Sequence, residues 1–164
     1  SSNYPISLRT PLNASSRPLT TRVIICANLE LFRAVGDKSA IAFTLNNLGY
    51  VALGSADYAE ASRLFTGSLF LRQELGNRQS IALCLFGLAE VSCLQGDAGR
   101  AAVLLAAGQS LLRSTGTRMG AADESRYKRA EECARAELDR AAWREAWQEG
   151  IEMSVERAVE YATL

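Results

Sequence analysis

The sequence contains no histidine, the residue that most often serves as a general base, as the partner of a nucleophilic serine or cysteine, or as a metal ligand. It also has no run near the roughly 18 continuous apolar residues that a membrane-spanning helix needs, and no signal-peptide pattern at its start. Its 18 basic and 18 acidic side chains cancel, so the positive field typical of a nucleic-acid-binding protein is missing. These absences argue against an enzyme, a membrane protein and a nucleic-acid-binding protein, and we interpret the chain as cytoplasmic.

Proline is confined to the start of the chain, at Pro5, Pro11 and Pro18, where serine, threonine and asparagine are also frequent. Such a composition breaks regular secondary structure and provides few apolar side chains for a core. It predicts a flexible or irregular lead-in over residues 1–19.

The four cysteines, Cys26, Cys84, Cys93 and Cys133, are widely spaced and form no C-x-x-C pair. Each lies in an apolar pattern with helical spacing, where free cysteine is typically buried. We therefore interpret all four as buried, reduced thiols, and we expect no disulfide framework, no metal site and no cofactor.

One segment recurs at a fixed distance of 40 residues, because residues 31–42, 71–82 and 111–122 align without gaps. Gly36, Gly76 and Gly116 align, and each is followed by a polar residue and then by a base. Glycine takes the left-handed backbone conformation at little cost, and a polar residue can cap the next helix. We predict a tight helix-to-helix turn at each of these glycines.

Between these turns, small and large residues recur as Leu45-x-x-Leu48-Gly49 with Ala61-x-x-x-Phe65, and again as Leu85-x-x-Leu88-Ala89 with Ala101-x-x-x-Leu105. The small residues let two helices approach closely, and the large ones fill the space between them. This pattern resembles the tetratricopeptide repeat, with leucine where tryptophan usually stands and without the terminal proline. The resemblance implies an all-α, right-handed solenoid of helical hairpins.

The predicted helices span about residues 20–35, 38–54, 57–75, 78–95 and 97–115, and Asp57 and Asp97 are predicted N-caps. The repeats therefore occupy residues 20–116, as one partial and two full units. The β-branched residues Val23, Ile24 and Ile25 leave a short strand at 22–27 as an alternative.

After Gly116 the repeat stops, and residues 117–164 are predicted to form short capping helices that cover the last apolar face. Asp123 and Ser154 are the predicted N-caps, and breaks are expected at Leu138-Asp139 and at Gly150. Trp143 and Trp147 are interpreted as anchors that pack this cap. An aromatic shelf for a ligand is the alternative interpretation of the two rings.

The cap also carries a second family resemblance, in the segment Ala146-Trp147-x-x-Gly150-x-x-Met153-Ser154-x-Glu156-x-Ala158-Val159. It resembles the closing segment of C-terminal helical regions in large bacterial regulators that combine a signal-transducing ATPase with LuxR-type or other effector domains. The resemblance implies a sensor or interaction region. The phosphate-binding pattern G-x-x-x-x-G-K-[ST] is absent, so any ATPase and effector modules lie outside this chain.

The first helix of each unit is expected to line a concave groove, which makes a non-catalytic peptide-binding or protein-binding module the predicted function. Its predicted lining is aromatic and nearly neutral, and because it contains no base we do not expect a clamp for carboxylates. A small-molecule sensor is the alternative function, and an enclosed apolar pocket of about 300 Å³ or more would favour it. The predicted groove residues are Phe43, Asn46, Asn47, Tyr50, Leu53, Leu83, Phe86, Glu90 and Leu94.

Overall fold

A computed structural model describes residues 17–164 of the chain, and these residues form eight α-helices and no strand. The protein is therefore all-α over its described part, as predicted. The helices are α1 (Arg17–Val35), α2 (Lys38–Gly54), α3 (Tyr58–Glu74), α4 (Arg78–Leu94), α5 (Ala98–Thr115), α6 (Ala121–Glu137), α7 (Arg140–Ile151) and α8 (Val155–Thr163).

The start of the chain differs from the prediction in one respect. Residues 22–27 are part of α1, so the alternative of a short strand there is wrong. The helix begins at Arg17, inside the predicted irregular lead-in, and the rest of that lead-in lies outside the described residues.

Polar N-cap residues and glycines with a left-handed backbone conformation mark the ends of α2 to α5. The observed bounds of these helices lie within one residue of the predicted bounds. The side-chain oxygens of Asp37, Asp57, Asn77 and Asp97 accept hydrogen bonds from the backbone N–H three residues later, at 2.9 to 3.1 Å. Gly36, Gly76 and Gly116 have φ values of 72°, 65° and 66°, so the predicted turns at these glycines are confirmed.

Phe65 is the centre of the packing between the first hairpin and α4. Its ring is fully buried between two glycines, where a Cβ would lie 2.7 Å from the ring at Gly49 and 2.6 Å from it at Gly87. The Phe86 ring of α4 packs in the same manner against Gly108 of α5. Glycine at these positions lets three helices approach one aromatic ring.

The last three helices pack on the two hairpins in different ways. Helix α6 packs against α4 and α5, α7 packs against α5, and α8 lies across α3, α4 and α5. As a result, most of α5 is buried from Ala98 to Leu112. Among the described helices, none combines the length and the apolar character needed to cross a membrane.

Two details of the predicted cap are wrong and two are confirmed. Asp123 does not cap α6, because the helix begins at Ala121 and Gly120 is at its N-cap. Gly150 does not break α7; it lies within the helix, where a side chain would collide with the backbone of Val103 in α5. The chain does break at Leu138-Asp139, between α6 and α7, and Ser154 does cap α8.

Candidate binding surface

Helices α2, α4 and α6 lie side by side, and we call the surface they form the wall. Helix α4 contacts α2 on one side and α6 on the other. The Phe86 ring of α4 and the Tyr127 ring of α6 meet edge to face with centroids 5.0 Å apart. The wall thus has three helices, although the sequence predicted only two.

The predicted groove residues differ in how accessible they are. Phe43 is 62% exposed and Leu94 is also exposed, so both can meet a partner. Those that are partly buried at the surface of the wall are Asn47, Tyr50, Leu53, Leu83 and Glu90.

Phe86 and Asn46 are not on the accessible surface, which corrects their predicted place in the groove. Phe86 is only 2% exposed because Gly108 and Tyr127 enclose its ring. Asn46 is 4% exposed and accepts a hydrogen bond from the Cys84 thiol, with Sγ 3.7 Å from Oδ1. Both side chains support the fold from behind the wall.

The Cys84 thiol belongs to a buried polar network behind the wall. The buried Arg72 guanidinium donates to the Ser80 carbonyl oxygen at 2.6 Å and to Cys84 Sγ at 3.3 Å, and the thiol also lies 3.3 Å from Ser68 Oγ. Burial raises the pKa of the Cys84 thiol, and the positive charge of Arg72 opposes that effect only in part. The thiol is therefore protonated and serves the packing of α2, α3 and α4.

Helix α6 brings basic and acidic side chains to the wall that the predicted lining did not include. The Arg126 guanidinium stacks on the Tyr50 ring, 4.0 Å from its centroid, and pairs with Asp123 at 3.2 Å. Arg129 Nε donates to Glu90 Oε1, also at 3.2 Å. The wall therefore does contain bases, but each is paired with a carboxylate and the four charges cancel.

Tyr50 and Glu90 lie in a partly dehydrated environment under these arginines. Burial raises the pKa of the Tyr50 phenol, and the nearby Arg126 charge opposes this effect. The second oxygen of Glu90, Oε2, is buried and has no hydrogen-bond partner within the described part of the chain. Buried carboxylate oxygens are rarely left in that condition, so Glu90 Oε2 is an unsatisfied acceptor beneath the surface of the wall.

A disulfide bond joins Cys93 of α4 to Cys133 of α6, with their Cα atoms 6.3 Å apart. The expectation of four buried, reduced thiols is therefore wrong: two cysteines are bonded, Cys26 is exposed, and only Cys84 is a buried thiol. The bond is at odds with the predicted cytoplasmic location, because disulfides are rare in the reducing cytoplasm.

The repeat offset could have revealed both α6 and the disulfide. Cys133 follows Cys93 by 40 residues, the same distance that relates Gly36 to Gly76. Arg126 likewise occupies the register position of Phe86 and Asn46. The repeat is hard to recognise at this point of the sequence because residues 117–120 are not helical and shorten the start of α6, and because the surface of α6 is strongly charged.

The clefts on the described surface include five of about 230 to 480 Å³, each with an opening to solvent. The largest lies at the α5–α6 connection and is lined partly by Arg113, Arg118 and Glu124. None of the five is the enclosed apolar pocket that would favour a small-molecule sensor.

The two tryptophans are not an open aromatic shelf. Trp143 and Trp147 stack on each other with centroids 5.2 Å apart, and Arg135 covers Trp143 at 4.0 Å. Both rings are partly buried and pack against the core, as anchors would. Within residues 17–164, no three side chains of the metal-binding types come together as a metal site.

No protein-family model, curated protein or solved structure matches this chain.

Proposed function

We propose that the chain is a non-catalytic interaction module that binds a peptide or a protein segment on the wall formed by α2, α4 and α6. The observation that carries this proposal is the exposed Phe43 ring at one end of a wall whose charged residues Arg126, Asp123, Arg129 and Glu90 are fixed in ion pairs. An exposed aromatic side chain on a rigid surface is a typical anchor for a partner.

The chemistry of the wall suits a partner that is neither strongly acidic nor strongly basic. Arg126 and Arg129 are already paired, so the wall offers no free cation for a terminal carboxylate. Phe43 offers an apolar contact, and Asn47 on the same helical face offers an amide. A moderately polar peptide with an apolar anchor residue fits this set.

The tetratricopeptide resemblance agrees with this proposal, because such repeats bind partners on the surface formed by the first helix of each hairpin. The resemblance of the cap to regulator C-terminal regions suggests a sensor or scaffold part of a signalling protein. In that case the ATPase and effector modules are outside this chain. A catalytic role has no support from the sequence, which lacks histidine throughout.

A random peptide library displayed on phage, selected against the folded full chain, tests this proposal. We expect selected peptides to bind the Phe43→Ala variant about 2 kcal/mol more weakly than the unchanged chain, or roughly thirty-fold. Leu31→Ala is the control, because Leu31 is also an exposed large apolar residue but lies on α1, outside the wall.

Circular dichroism would verify that both variants remain folded. If every selected peptide bound the Phe43→Ala variant as well as the unchanged chain, the wall would not be the binding surface. Peptides that lost affinity only through Leu31→Ala would place the binding surface on α1.

A further inference from the structure

Helix α8 lies in a groove between α3 and α5, whose floor is α4, and we call this the α3–α5 groove. The apolar face of α8, formed by Ala158, Val159 and Ala162, is buried there. At the end of the helix, Arg100 donates to the Ala162 carbonyl oxygen at 3.0 Å. Residues that line the cleft around this end include Ser62, Thr66, Leu88, Val91, Ser92 and Arg100.

The same groove exists one repeat earlier, between α1 and α3 with α2 as its floor, and we call it the α1–α3 groove. Its cleft of about 230 Å³ is lined by residues of α1, α2 and α3 only. Six of these lining residues each lie 40 positions before one of the six that line the cleft at the end of α8. They are Arg22, Cys26, Leu48, Val51, Ala52 and Glu60.

Side chains of the α1–α3 groove are more exposed than their counterparts under α8. Val51 and Leu45 are partly exposed, whereas Val91 and Leu85 are buried. Further along α3, Phe70 is 49% exposed. The residue 40 positions later is Ser110, and its hydroxyl donates to the Ile151 carbonyl oxygen, just before α8, at 3.3 Å. Apolar surface is thus left uncovered at the positions where the next unit receives a helix.

We propose that the α1–α3 groove binds a short amphipathic helix of net negative charge from a partner protein, seated as α8 is seated one repeat later. The seat of α8 in this same molecule shows which kind of element fits such a groove. Its rim carries one more base than acid: Arg22, Arg33 and Arg63 against Glu30 and Glu60. An acidic helix complements that charge.

The residue at the end of the groove favours a partner's helix over α8 from a second copy of the chain. Glu60 stands where Arg100 donates to the Ala162 carbonyl oxygen of α8. Both oxygens of the Glu60 carboxylate accept hydrogen bonds from Arg63, at 2.7 and 2.8 Å, and a carboxylate cannot donate to a carbonyl oxygen as Arg100 does. A helix placed as α8 is placed would therefore lack this hydrogen bond.

The test uses the full chain and a fluorescent, acetylated and amidated peptide with the sequence of residues 153–164, which can enter the groove in either direction. We expect binding by fluorescence anisotropy and a several-fold slower alkylation of the exposed Cys26 thiol, which lines the groove. Arg22→Glu and Phe70→Ala should each weaken the peptide about ten-fold. Val23→Ala, an exposed neighbour outside the cleft, should leave the affinity unchanged.

Three results would overturn the proposal. The first is an unchanged alkylation rate of Cys26 at the highest soluble peptide concentration. The second is binding that depends on Arg100 but not on Arg22, which would show that the peptide replaces α8 in its own groove. The third is self-association of the chain that Phe70→Ala abolishes, because it would assign the groove to a second copy.

Discussion

At the scale of single residues, glycines without special backbone angles decide how closely the helices pack. Gly49 and Gly87 leave room for the Phe65 ring, and a Cβ at either position would lie well inside van der Waals contact with it. The ring is fully buried among three helices, so it cannot move aside without opening the core. These positions should therefore be more sensitive to an added methyl group than the glycines of the turns.

Gly87→Ala is predicted to destabilise the protein by about 1 to 3 kcal/mol, because the added methyl group overpacks the core against Phe65. Gly54→Ala is the matched control: Gly54 is also helical, but nothing lies within 4 Å of its would-be Cβ. Because alanine is the better helix former, this control should be neutral or stabilise by up to ~1 kcal/mol. Urea unfolding of the two variants would measure the difference, and equal effects would contradict the packing of Phe65 described above.

Tyr50 makes stability sensitive to high pH. Its folded-state pKa is raised by burial, so the folded protein resists ionisation of the phenol more than the unfolded chain does. The stability that the neutral Tyr50 phenol contributes to the fold is fully present below the unfolded-state pKa of about 10. It is lost as the pH rises above that value. Tyr50→Phe should therefore reduce the loss of unfolding free energy above about pH 10. An identical pH dependence in the variant and the unchanged chain would show that Tyr50 is not buried as described.

At the scale of helices, the sequence predicts an element well where local chemistry marks both of its ends. Helices α2 to α5 begin at Asp or Asn caps and follow glycine or short polar turns, so their bounds could be predicted within one residue. Helix α6 has no side-chain cap, and its place beside α4 depends on contacts with residues far away in sequence. For the same reason the burial of Phe86 and the Arg126–Tyr50 contact could not be predicted from one helix alone.

The Cys93–Cys133 bond should contribute strongly to the attachment of α6. The bond closes a loop of about 40 residues and thereby restricts the unfolded chain. This restriction predicts a stabilisation of the folded state by roughly 3 to 4 kcal/mol. Unfolding measured with and without dithiothreitol should show a loss near this size, and Cys93→Ser under oxidising conditions should lose a similar amount. If dithiothreitol lowered stability equally in the unchanged chain and in Cys93→Ser, the loss would not come from this bond.

Gly150 should determine how closely α7 approaches α5. A methyl group at this position would collide with the carbonyl oxygen of Val103 and with Ala106, so Gly150→Ala is predicted to cost about 1 to 3 kcal/mol. Gly120→Ala, where a Cβ would meet nothing, is the control. Thermal unfolding of both variants would test the docking of α7, and an unchanged midpoint for Gly150→Ala would contradict it.

At the scale of the whole molecule, α2 connects the two proposed binding surfaces. Phe43, Asn47 and Tyr50 lie on one face of this helix, while Leu45, Leu48 and Ala52 lie on the opposite face, toward the α1–α3 groove. A peptide on the wall and a helix in the groove could therefore bind at the same time. The wall is neutral and polar, whereas the groove is apolar with a basic rim, so the two surfaces suit different partners.

The most direct test of the central claim, that the wall is the binding surface, is to locate a selected peptide by NMR. Backbone amide chemical shifts of the isotope-labelled full chain would be followed during titration with a peptide obtained from the display library. We predict that the largest changes fall in α2, α4 and α6, around Phe43, Tyr50 and Arg126. Changes concentrated in α1, α3 or α8, with the amides of the wall unaffected, would contradict the account.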